Sequence, residues 1–87
     1  MLFLKSTQFK KKFKKSPEKI REKVKDRLIV LSANCWDPIL NNHPLHGEYS
    51  GCKSIDITGD IRLIYKELDK DVCLLLRFGT HHELYGN

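Results

Sequence analysis

Apolar residues recur at helical spacing through the first third of the chain and at alternate positions through much of the second half. Leu2-Phe3-Leu4 predicts a short strand, closed by Ser6 and Thr7, either of which can cap a helix. Phe9 and Phe13 share one face of that helix, with Lys10, Lys11, Lys12, Lys14 and Lys15 around them. Ser16-Pro17-Glu18 predicts a second start: a hydroxyl N-cap, proline at the first helical position and an acid in the first turn. Ile20, Val24, Leu28 and Leu31 then form one amphipathic stripe, and Asn34 and Pro38 bound its end. The two helices read as a hairpin.

Residues 37–51 are broken by Pro38, Asn41, Asn42, Pro44, Gly47 and Gly51, which predicts an irregular connection. The period then changes to two. Ser54 to Thr58 alternates, Gly59 turns the chain, and Ile61 to Tyr65 forms the next strand. After a polar turn at 68–71, Val72 to Phe78 is a continuous apolar run suited to a central strand, and Gly79 to Gly86 fits a turn or one helical turn. The order β-α-α-β-β-β predicts an α+β fold, an antiparallel sheet with an N-terminal helix hairpin packed on one face, in one domain over residues 1–87. Parity places the side chains. If Ile55 and Ile57 face the helices, Asp56 faces away; if Val72, Leu74 and Leu76 take the core side, Arg77 joins Leu75 and Cys73 on the open face, with His81 just beyond the strand end.

Charge sharpens this picture. Residues 1–30 carry 11 Lys/Arg against 3 Asp/Glu, whereas residues 31–87 carry 5 against 8, so the overall +5 conceals a strongly basic first half. Such a surface favours a polyanion, nucleic acid or an acidic protein segment, and a solvated lysine-rich helix face is the competing explanation. Cys35, Cys52 and Cys73 are odd in number, widely spaced and lack a CxxC pair, which argues against a disulfide framework or a zinc site and for the cytoplasm. Cys73 fits as a small core residue. No apolar stretch is long enough for a membrane span or a signal peptide.

The candidate chemistry gathers in the second half. In LLLRFGTHHELYG, residues 74–86, Arg77 stands four positions before His81, and Tyr85 four after it. A guanidinium that binds phosphate, an imidazole that moves a proton near neutrality and an aromatic ring suit acid–base cleavage of a phosphodiester, which needs no cofactor. His82 reads as a spare. His43 and His46 match a helical metal pair poorly, so His43, held by Pro44, reads as a second acid–base or phosphate contact. Asp60 follows Gly59 at a hairpin, where Asp suits the turn itself; its chemical alternative is to orient a histidine or polarise a hydroxyl. Trp36 and Tyr49 read as packing residues, Tyr85 as a stacking surface.

HPLHGEYSG, the later GD-x-x-LIY and the terminal LLLRFGTHHELYG together resemble the YafQ branch of the RelE/ParE superfamily of type II toxin–antitoxin toxins, over residues 43–86. The resemblance implies a metal-free, ribosome-dependent mRNA endonuclease in which a ribose 2′-hydroxyl attacks the adjacent phosphate. It implies His43 as the loop histidine, Asp60 as the acid after the hairpin, Arg77 as the phosphorane-stabilising cation, His81 as the general acid and Tyr85 as the C-terminal aromatic. Two positions depart from the best-known YafQ sequence: Asp56 replaces a strand histidine, and Ile61 replaces a tryptophan. Asp56 is then a candidate carboxylate base, and the base stays open among His43, Asp56 and Asp60. The implied partners are a DinJ- or RelB-like antitoxin with an acidic segment, the ribosome with its mRNA, operator DNA only through the antitoxin complex, and no membrane. Lys10, Lys11, Lys12, Lys14 and Lys15 are the candidate nucleic-acid contacts. The rival readings are a ParE-like gyrase inhibitor on the same fold and a degenerate toxin that only binds its antitoxin.

Overall fold

Ser6 starts the helix hairpin and ties it to the sheet at once. Its Oγ accepts from the Phe9 N–H at 3.0 Å and donates to the Leu76 carbonyl at 2.6 Å. The structure, a computed structural model, describes residues 1–86. Strand β1 (Leu2–Lys5) leads into α1 (Thr7–Lys15) and α2 (Glu18–Ala33); β2 (His43–Pro44), β3 (Lys53–Asp56), β4 (Ile61–Asp69), β5 (Val72–Thr80) and α3 (His81–Tyr85) follow. Two 3-10 turns, Pro38–Leu40 and Gly47–Tyr49, and the two-residue β2 organise the stretch expected to be irregular. Ser16 does not cap α2 as expected. Its hydroxyl turns back to the Lys12 carbonyl at 2.6 Å and closes α1, and Pro17 alone precedes the first residue of α2.

The sheet order is β1-β5-β4-β3-β2. Pairing is antiparallel from β2 to β5, but β1 lies parallel to β5, so the sheet is mixed. The helix hairpin carries the chain away from β1, and the meander returns β5 beside it. On the helix side, Phe9, Val24, Leu31, Ile55, Ile57, Leu63, Tyr65, Leu75 and Phe78 are buried together with Leu40 and Cys73. Phe78 meets Phe9 edge-on, with ring centroids 5.2 Å apart. Each such side chain contributes about 1.5–3 kcal/mol on burial.

Parity on β5 is the reverse of the expectation. Cys73 and Leu75 face the helices, whereas Leu76 packs on the other face with Cys52, Ile64 and Leu84. Opposite Ile64 stands Arg77 and opposite Tyr65 stands Leu75, so Leu76 is the extra residue of a β-bulge. The bulge resets the alternation. Phe78 returns to the helix side, and Arg77 stays on the open face with Leu76 rather than with Leu75 and Cys73. Trp36 also departs from expectation: it is 69% exposed, with the Lys53 ammonium 5.7 Å from its ring centroid. No helix among the described residues is long and apolar enough to cross a membrane.

Candidate active site

The loop before β2 is held by one amide. The Asn42 side chain donates to the Cys35 carbonyl at 2.9 Å and accepts from the buried Tyr65 hydroxyl at 3.1 Å. Burial pushes the Tyr65 phenol up to about 12, so it stays a neutral donor. Asn41, at φ 48°, supplies the left-handed kink that asparagine tolerates. The following residue pair is thereby fixed, and His43 Nδ1 donates to the Asn41 carbonyl at 2.7 Å. That bond selects the tautomer whose Nε2 carries the free lone pair. Across the β2–β3 pairing, His43 stands opposite Ser54.

Helix α3 is short, and its position depends on ties from three other elements. Thr80 and Glu83 form a capping box: the Glu83 N–H bonds Thr80 Oγ1 at 3.1 Å, and the Thr80 N–H bonds Glu83 Oε1 at 2.8 Å. Lys12 of α1 reaches Glu83 Oε2 at 2.6 Å. This Lys12 bond, followed by the Thr80 amide, holds the Glu83 carboxyl down to about 2. Gly79 leaves room for the carboxylate, since a Cβ there would lie 2.9 Å from Glu83 Oε1. Arg77 donates to the Tyr49 hydroxyl at 2.7 Å and to the Glu83 carbonyl at 3.0 Å, and Leu84 is buried against Cys52 and Ile64. His81 and Tyr85 share the remaining face of α3, with ring centroids 4.7 Å apart.

These two elements bring His43, His81 and Tyr85 into one open cleft of about 200 Å³, completed by Leu45, Ser54 and Arg62. Burial pushes the Tyr85 phenol up, offset in part by Ser54 and by the Arg62 charge. The cleft thus offers two imidazoles from separate elements, an aromatic wall and a guanidinium. That set can remove one proton, supply another and bind an anion between them.

The other expected site residues lie elsewhere. Asp56 stands at the margin: its Oδ1 lies 2.9 Å from Arg62 Nε, at ion-pair distance but off the N–H axis, and takes no hydrogen bond. Asp60 is exposed at the β3–β4 turn, where its N–H bonds Thr58 Oγ1 at 3.2 Å, and it does not line the cleft. Arg77 is on the correct face yet outside the cleft, bordering a groove with Gln8, Lys11 and Lys12. Lys10, Lys11, Lys14 and Lys15 are exposed along α1, whereas Lys12 is tied to Glu83. Arg62 is the charged cleft residue that sequence reasoning missed, along with Leu45 and Ser54. The signal was present, since Ile61, Leu63 and Tyr65 point to the core and alternation sends Arg62 to the open face.

A second surface shares no lining residue with the cleft. Between β1, α1 and α2 runs an apolar groove of about 820 Å³, floored by Phe3, Phe9, Phe13 and Leu28 and rimmed by Lys5, Lys10, Lys14 and Lys25.

The family model for the YafQ bacterial toxin of type II toxin–antitoxin systems matches residues 2–86. The chain belongs to the YafQ toxin family. Among solved structures, it is similar to YafQ from E. coli strain BL21(DE3), with a TM-score of 0.82, 27% identity and 97% of each chain covered. It is also similar to the E. coli DinJ–YafQ toxin–antitoxin complex, with a TM-score of 0.78, 28% identity, and 97% of this chain and 96% of that one covered. A YoeB/ParE toxin from Agrobacterium tumefaciens shares the fold at a TM-score of 0.78 and 16% identity, over 93% of this chain and 99% of that one. No curated protein matches. The YafQ assignment makes the chain the toxin of a toxin–antitoxin module, and it agrees with the α+β architecture reached from the residue pattern.

Proposed function

We propose that this YafQ-family toxin is an endoribonuclease that cuts mRNA on the ribosome without a metal and so halts translation. The observation that carries the reading is the meeting of His43 and His81 in one cleft, with the His43 tautomer set by Asn41. RNA supplies its own nucleophile, the 2′-hydroxyl, which DNA lacks. His43 Nε2 takes the proton of that hydroxyl as the 2′-oxygen forms a bond to phosphorus. The bond from phosphorus to the 5′-oxygen breaks, and His81, entering as imidazolium, protonates the leaving oxygen. The products are a 2′,3′-cyclic phosphate and a 5′-hydroxyl. Tyr85, tilted against His81 and 36% exposed, offers its ring to a base beside the cut. Asp60 has no part in this scheme, because it stands outside the cleft.

The lysines of α1 grip phosphates of the ribosomal RNA, which lends the complex its salt sensitivity. The partner that restrains the toxin is an antitoxin with an acidic, amphipathic segment. It docks in the groove between β1, α1 and α2, where apolar residues meet its hydrophobic stripe and lysines meet its carboxylates. The E. coli relative is seen in complex with DinJ, which supports an antitoxin as the partner. Incubation of the pure chain with translating ribosomes tests the function: mRNA is cut, and His43→Ala and His81→Ala each remove the cutting. Intact mRNA with the wild-type chain refutes the reading.

A further inference from the structure

The scissile phosphate gathers negative charge as the 2′-oxygen attacks, and a group whose charge does not depend on its own proton transfers must meet it. Among the residues lining the cleft, Arg62 alone carries such a charge. Both histidines are engaged in moving protons, and the Arg77 guanidinium is held outside by Tyr49 and Glu83.

We propose that Arg62 is a catalytic residue that grips the scissile phosphate and stabilises its transition state, with Asp56 as the positioning carboxylate that aims it. This rests on the ribonuclease reading above.

The geometry of Arg62 is that of an aimed side chain. Its Nε faces Asp56 Oδ1 at 2.9 Å, directly across the β3–β4 pairing. Nη1 donates to the carbonyls of Thr58 and Gly59, each at 3.0 Å. Nη1 is therefore fixed to the β3–β4 turn, and the ion pair with Asp56 holds the Nε side beside β3. Nη2, with its two N–H groups, has no partner among the described residues and remains for an anion in the cleft that Arg62 lines. A guanidinium fixed in advance loses little freedom when the phosphate arrives, which is the condition for strong transition-state stabilisation. The pair also accounts for Asp56 in the place of a histidine: the carboxylate serves the arginine, not the ribose hydroxyl.

The competing explanation is that Arg62 only secures the turn. To separate the two, the rate of cutting by the full chain is measured on translating ribosomes, with mRNA bearing an Rp or an Sp phosphorothioate at the position the wild type cuts. Arg62→Gln lowers kcat by ~10²-fold or more with little change in KM, and it abolishes the wild-type preference between Rp and Sp substrates, because the cation that distinguished the two non-bridging oxygens has gone. Arg62→Lys restores part of the rate. Asp56→Asn lowers kcat by roughly tenfold, and Arg62→Gln/Asp56→Asn, which leaves no unpaired carboxylate to disturb folding, is no slower than Arg62→Gln alone. Cutting by Arg62→Gln within a few-fold of wild type, retention of its thio preference, or recovery of the rate in the double variant each overturns the proposal while the wild-type ribonuclease stands. A wild-type chain that cuts nothing removes the ribonuclease reading and this one with it.

Discussion

Arg77 and Tyr49 are joined by a 2.7 Å hydrogen bond that places the guanidinium behind α3 instead of in the cleft in front of it. The same guanidinium holds the Glu83 carbonyl, so Arg77 fastens the helix that presents His81 and Tyr85. An arginine expected to touch the phosphate thus acts on the site through the helix it anchors.

Replacement of Arg77 by alanine removes both bonds and loosens α3. Hydrogen bonds from a charged donor contribute about 1.5–3 kcal/mol when partly buried, which sets the loss of stability. Amide exchange at residues 82–86 accelerates, and mRNA cutting falls with it. Tyr49→Phe, which removes the Arg77 bond and the 3.4 Å bond from the Tyr49 hydroxyl to the Leu84 carbonyl, shifts exchange and cutting in the same direction. Slow exchange at α3 in Arg77→Ala contradicts the anchoring role.

The opposite wall of the cleft depends on Tyr65 and Asn42. Tyr65→Phe leaves the half-buried Asn42 carbonyl oxygen without its Tyr65 partner, at a cost of about 1 kcal/mol in unfolding by urea. The His43 loop then loses its anchor, and kcat falls without any change at a residue that touches RNA. An unaltered rate shows that Pro44 and the β2 pairing suffice.

Acid weakens the Glu83 tie. Its folded pKa, about 2, lies below the ordinary 4.5, so its contribution is complete above about 4.5 and vanishes as pH falls through the folded value. The carboxylate is 44% exposed, and screening limits the effect to about 1 kcal/mol or less. Urea unfolding therefore finds wild type more stable than Glu83→Gln near pH 6 by up to that amount, and the two converge near pH 2. A constant difference across that range contradicts the ion pair with Lys12.

Alternation reveals a face only where polar and apolar residues take turns. In β3 and β4, Ile55, Ile57, Leu63 and Tyr65 mark the core side without ambiguity, and by the same logic Asp56 and Arg62 share the open face. The run Val72 to Leu76 has no such phase, and its bulge depends on what β4 places opposite it, which no local pattern encodes. Arg77 reached the expected face only because the bulge cancelled a reversed phase. The Asn42 bridge from Cys35 to Tyr65 joins residues 30 apart and is equally silent in the sequence. The helix hairpin, in contrast, is written locally in Ser6, Pro17 and the apolar stripe.

Exposed lysines distinguish binding from chemistry. Neutralising Lys10, Lys11, Lys14 and Lys15 to glutamine reduces the salt dependence of ribosome binding. Each lysine–phosphate pair removed lowers the slope of log K against log salt by up to about 0.9. Bound-state cutting is unchanged. Lys12→Gln behaves differently, since it also releases Glu83 and α3.

The most direct test places a single 2′-deoxynucleotide in an mRNA, on the 5′ side of the bond that the wild-type chain cuts on translating ribosomes. Attack by the ribose hydroxyl predicts that this one substitution leaves the message whole, while the unmodified message is cut to leave a 5′-hydroxyl end. Cutting of the deoxy-substituted message at the same bond contradicts the mechanism.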